Sequence, residues 1–164
     1  MPSRAVPRRV RDYIFYYYAK LVIAPSSGEA GNYAFIIDRY KRLAAGEISM
    51  SEYDREIQKL AQQPGRCVFC NRDGANQAVE LIPRDAGGPV GIHNTVYACN
   101  QCALSKGGKP LLKWWCGELR RSKDELPRIP AGLFLKMAYE RHATSFTLNK
   151  KCRDIFDLWP QNVL

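Results

Sequence analysis

Apolar positions return every three or four residues along two stretches in the first half of the chain, a spacing that predicts two helices. In the first, spanning 32–47, Phe35, Ile36, Tyr40 and Leu43 share a face, and Gly46 suits a left-handed C-terminal cap. The second opens on Ser49-x-x-Glu52, a capping box in which serine and glutamate each satisfy a free backbone N–H. It carries Tyr53, Ile57 and Leu60 on one face and ends near Pro64-Gly65, so the pair reads as a helical hairpin. The preceding run 12–24, DYIFYYYAKLVIA, is apolar on most sides and predicts a buried strand or short helix. Its Tyr13, Tyr16, Tyr17 and Tyr18 read as core or interface residues, with base stacking as the alternative.

The period changes in the middle of the chain. Val79, Leu81 and Ile82 mark a strand, Pro83, Gly87, Gly88, Pro89 and Gly91 a long turn, and Thr95-Val96-Tyr97 a second strand. A helix is expected from near Leu104, disturbed at Gly107-Gly108 and resumed at Pro110 with Leu111, Leu112, Trp115 and Leu119 as its apolar stripe. Trp114 and Trp115 read as core residues rather than base-stacking ones. Pro127 and Pro130 bracket a linker before a helical segment over 132–142, with Leu133, Phe134, Met137 and Tyr139 as contacts. A last helix is expected over 149–159, with Ile155, Phe156, Leu158 and Trp159 packed and Pro160 as its stop. The pattern therefore divides the chain into an arm and helical hairpin (1–66), a hairpin-and-helix module (67–122) and docking helices (123–164). The fold class is α+β, a small module embedded in a mostly helical domain.

Charge adds a partner to this picture. Lys and Arg number 25 against 16 Asp and Glu, a formal charge of +9, which favours a polyanion, nucleic acid first. Arg4, Arg8, Arg9 and Arg11 form a basic arm with no acidic residue before Asp12; it reads as a phosphate-binding arm or as a solvated tail. No stretch reaches the roughly 18 apolar residues of a membrane span, and the tyrosine-rich run after the basic start is unlike a secretory signal. A reducing, cytoplasmic setting is the expectation.

Cysteine spacing adds a cofactor. Cys67-x-x-Cys70 and Cys99-x-x-Cys102 flank the hairpin and read as four thiolates converging on one zinc, with two disulfides or unpaired core thiols as the alternatives. Four thiolates leave no open position for water, so such a zinc is structural. Cys116 and Cys152 read as buried thiols.

The run Ile82-Pro83-Arg84-x-x-Gly87-Gly88, followed by Asn94-x-Val96, Cys99-x-x-Cys102 and Lys106-Gly107, resembles the HNH endonucleases, whose ββα-metal site is often braced by paired CxxC knuckles. The likeness covers about forty residues. Where such nucleases carry an aspartate and then the histidine that deprotonates water, this chain has Val79 and Glu80; the third motif position is Ala103. The resemblance implies metal-dependent hydrolysis of DNA, with Glu80 in the base position, Asn94 at the centre and Mg²⁺ or Mn²⁺ as catalytic metal. Arg84, Lys106, Lys109 and Lys113 are the residues expected to meet phosphates, with Arg120 and Arg121 on or near the same helix. The alternative is a catalytically silent module that binds nucleic acid or a protein. Asp85 reads as a turn former, His93 as an exposed loop-end residue and His142 as structural or surface.

Overall fold

The structure is a computed structural model and describes residues 7–160; the expectation for Arg4 lies outside the described residues. The run left open as strand or short helix is helical and longer than expected. α1 (Val10–Tyr18) continues through a π-helical stretch, Ala19–Ile23, into a last turn, α2 (Ala24–Ser26). Ile14, Tyr18, Ala19, Val22, Ile23 and Ala24 are all fully buried, which explains why the stretch shows no polar face.

Both helices of the expected hairpin form, but the first packs on α1 and the π-helical stretch after it, and the second on the later helix over 128–144, rather than on each other. α3 (Tyr33–Ala45) starts at Asn32, whose side chain accepts from the Phe35 N–H at 3.2 Å, and ends at Gly46 in the left-handed conformation. Ahead of α4 (Ser51–Ala61) the Glu52 carboxylate reaches back to the Ser49 N–H at 3.0 Å, while Ser49 Oγ accepts from Ser51 rather than from the third residue of the box. The long α6 (Arg128–Thr144) packs on both α1 and α4. Ala131, Phe134, Leu135 and Ala138 are fully buried, and Gly132 lets the Ile57 side chain approach so closely that a β-carbon would lie 3.0 Å from it.

The module follows from α4. β1 (Gly65–Arg66) and β2 (Asp73–Ala75) pair antiparallel around the first cysteine knuckle. β3 (Gln77–Glu80) and β4 (Thr95–Ala98) form a second antiparallel pair in the register Gln77↔Ala98, Ala78↔Tyr97, Val79↔Val96 and Glu80↔Thr95. α5 (Asn100–Lys106) leaves β4 directly, giving the order strand, strand, helix.

Two elements differ from expectation. Beyond Pro110 the chain forms a π-helical turn, Lys113–Glu118, that buries both Trp114 and Trp115; their Nε1 atoms donate to Ser105 Oγ and to the Ser122 carbonyl, each at 2.9 Å. The last expected helix is a single 3₁₀ turn, Ile155–Leu158. Asp154 caps that turn by accepting from the Ile155 N–H at 2.6 Å, and the preceding residues are extended because Lys151 bridges to Arg9. Side-chain capping and a strand-like partner thus outcompete helical periodicity here.

Candidate metal centre and the loop beside it

Local chain geometry builds the sulfur cluster. In the first knuckle the Asn71 N–H returns to the Cys67 carbonyl and the Cys67 N–H to the Arg72 carbonyl, both at 2.8 Å, a tight turn that puts Asn71 at φ +62°. Asparagine is among the few non-glycine residues that tolerate that region. In the second knuckle Cys99 serves as the N-cap of α5, its sulfur accepting from the Cys102 N–H at 3.4 Å. Arg72 Nη1 donates to Gln101 Oε1 and ties the knuckles together.

The four sulfurs all lie within 4.8 Å of one another, and Cys70 and Cys99 stand 3.7 Å apart. All are free thiols, and that separation is far from the ~2.05 Å of a disulfide. Ligands held tetrahedrally at about 2.3 Å from one ion stand about 3.8 Å apart, so the cluster has the size of a metal site. Its electrostatics agree. Burial alone would raise the Cys99 thiol, yet the Cys102 N–H and the neighbouring thiols bring it down to about 7, while burial pushes Cys70 and Cys102 up. Cys99 is thus the sulfur that gives up its proton more readily than Cys70 or Cys102. The donor set and its backbone N–H···S bonds fit a tetrathiolate metal ion.

The loop between β3 and β4 is held by Asn94. This residue is fully buried; its Oδ1 accepts from the Ile82 N–H at 2.9 Å, and its Nδ2 donates to the Ile82 carbonyl at 2.6 Å and to Pro89 at 2.9 Å. Both amide hydrogens are used. Gly88 lies against this staple, and a β-carbon there would fall 1.8 Å from the Ile82 oxygen. From the other side the Trp159 indole donates to the Ala86 carbonyl at 2.8 Å.

The two residues expected to form a catalytic pair stand in different settings. Glu80 is half-buried at the end of β3, opposite Thr95, whereas Asn94 closes a 3₁₀ turn, Ile92–Asn94, and is buried. The Leu81 N–H bonds the Asn94 carbonyl at 2.9 Å. Lys106 is also corrected. Its ammonium is buried and donates to the Glu80 and Lys109 carbonyls, each at 2.6 Å, and burial lowers its pKa to about 8. A lysine so enclosed is unavailable to phosphate. Lys109 bonds the Ser105 carbonyl at 2.9 Å and pairs with Glu118 at 2.5 Å. Arg84 and Lys113 are exposed. His93 is exposed and bonds Gln58 at 3.0 Å, and both His142 nitrogens are engaged, by Thr147 and the Leu158 carbonyl.

A feature without sequence signal lies among the helices. A groove of about 910 Å³ is lined by Phe15, Leu43, Met50 and Tyr139, with Asp54, Lys136 and Glu140 among its polar groups. The Tyr18 hydroxyl contacts both the Asp54 carboxylate and the Met50 carbonyl. One hydroxyl hydrogen cannot serve two acceptors, and both contacts are satisfied when Asp54 holds a proton. Burial, the largest influence on Asp54, raises its pKa in the same direction.

No family model matches the chain, and neither the curated proteins nor the solved structures contain a significant match to it. Among the described residues, no helix is long and apolar enough to cross a membrane.

Proposed function

We propose that the chain is a nucleic-acid-binding protein whose HNH-like ββα module is structural rather than hydrolytic. Cys67, Cys70, Cys99 and Cys102 would hold a zinc ion, which supplies folding free energy and no open coordination position. The observation that carries this reading is the state of Asn94: it is fully buried, and its amide is spent on Ile82 and Pro89. Hydrolysis of a phosphodiester needs a base and a metal-binding group at one phosphate. A chain with +9 net charge and its motif asparagine locked in a turn retains binding and loses that convergence.

The test is incubation of the purified protein with supercoiled plasmid and Mg²⁺ or Mn²⁺, beside salt-dependent binding assays. Salt-sensitive binding without nicking is expected. The endonuclease reading keeps one specific support, the half-exposed Glu80 carboxylate at the base position. Nicking by the wild type that disappears in Glu80→Ala and rises in Glu80→His would reverse the proposal.

A further inference from the structure

The amino- and carboxy-terminal segments meet in a strand-like contact that the function of the module does not use. Arg9 and Lys151 are antiparallel bridge partners, flanked by the Val10 N–H to Lys150 carbonyl bond at 3.0 Å and the Cys152 N–H to Arg8 carbonyl bond at 2.9 Å. The bonds lie on the flanking residues, so Arg9 and Lys151 form a non-hydrogen-bonded pair, the closer of the two pair types. Like charges placed directly opposite each other oppose folding. Arg8, Arg9, Lys150, Lys151 and Arg153 are all exposed, and none forms an ion pair among the described residues. The nearby carboxylates are occupied: Asp154 holds Lys123 at 2.7 Å and Asp157 accepts from the Arg153 N–H at 2.9 Å.

Phe146 lies four residues before Lys150, within about 14 Å by chain length. It follows the end of α6, where the Thr147 N–H bonds the His142 carbonyl at 2.8 Å and the Phe146 N–H bonds Ala143 at 3.3 Å. This is the Schellman arrangement, whose left-handed position is ordinarily glycine. Here it is a phenylalanine at φ +57° and 95 % exposed. The ring contributes no burial, and its backbone conformation is unfavourable for a residue with a β-carbon. Opposed cations and an exposed ring on a strained turn each oppose folding, and both are explained by a contact outside the chain.

The geometry points to this terminal ribbon as the site that takes a single-stranded nucleic acid: Arg9 and Lys151, which share one face of the ribbon, meet the phosphates, and Phe146 stacks on an unpaired base. The inference rests on the nucleic-acid reading above and moves the contact surface from the module to the joined termini. One exposed ring and a pair of opposed, exposed cations match a stacking platform with phosphate contacts, whereas a lipid surface calls for a continuous apolar face.

The experiment measures fluorescence anisotropy of a labelled single strand of about 20 nucleotides, a length that exceeds the usual site size. Wild type, Arg9→Ala/Lys151→Ala and Phe146→Gly are compared across salt concentrations. The double variant keeps the backbone bridge; it is expected to bind at least about tenfold more weakly, with a salt slope shallower by about 1.4. Phe146→Gly is expected to weaken binding about fivefold or more while its melting temperature stays level or rises. Wild-type binding that neither variant alters would overturn the ribbon and leave the nucleic-acid reading standing. No binding of single strand or duplex at low salt would remove both. Tight binding to phosphatidylserine vesicles without strand binding, or a duplex preference indifferent to Phe146→Gly, would also overturn it.

Discussion

From Cys67 to Lys106 the chain is held by sulfur, amide and carbonyl groups, whereas α1, α4 and α6 meet through apolar side chains. In the module, four thiols converge, Asn94 staples a glycine turn, and a buried lysine bridges two carbonyls. In the helical layer, Ile14, Val22, Ile57, Phe134 and Leu135 are buried with almost no polar partner required. Tyr18 with Asp54 is a polar contact within it, and Arg128 with Glu56 another at its edge. The contrast separates two uses of a motif residue. In the loop beside buried Leu81, Ile82 and Val96, the polar side chain of Asn94 is consumed by holding the backbone.

The sharpest way to break this contrast is to remove the sulfur cluster. Cys99→Ser, or metal chelation, is expected to cost about 4 kcal/mol or more, the range reached when a metal site is lost. Hydrogen exchange should show β3, β4 and α5 losing protection before α1 and α6. Metal analysis should return one ion per chain, and a metal-free protein of unchanged stability would refute the distinction between the regions.

Next in size are two changes in the loop. Gly88→Ala forces a β-carbon into the Ile82 carbonyl and is expected to cost about 3 kcal/mol. Asn94→Ala leaves the Ile82 N–H, the Ile82 carbonyl and Pro89 without a side-chain partner, an expected loss of about 2 to 3 kcal/mol. Chemical denaturation measures both, and an Asn94→Ala protein as stable as wild type would show that the amide does not hold the turn.

The smallest effect belongs to the helical layer. Burial holds the Asp54 carboxyl above its unfolded value, so the folded state keeps a proton that the unfolded chain releases above about pH 4. Its contribution to stability is complete below that pH and is lost as pH rises through the folded value. Asp54→Asn removes this dependence. Its unfolding free energy should exceed that of wild type at pH 7 by less than about 1 kcal/mol, because the carboxyl is partly screened by solvent, and chemical denaturation measures it. The curves should merge near pH 3.

Much of the fold was readable in linear order. The helices α3 and α4 were marked by periodicity, Gly46 and the Ser49–Glu52 box, and the cysteine cluster by spacing alone, whereas the packing of α3 on α1 and of α4 on α6 was not legible. Spacing succeeds there because a knuckle is a local turn: the residues that define it are the residues that form it. The 149–159 segment failed as a helix because Lys151 pairs with Arg9, a partner distant in sequence.

The amino-acid order by itself determined helices α3 and α4, the four clustered sulfurs and the excess of positive charge, since each depends on neighbours or on composition. Only the tertiary structure decided that Lys106 turns inward, that the Asn94 amide is spent on the loop backbone, and that Arg9 and Lys151 stand opposite each other. Those outcomes depend on which distant backbone groups need a partner, and no motif in the linear order records that.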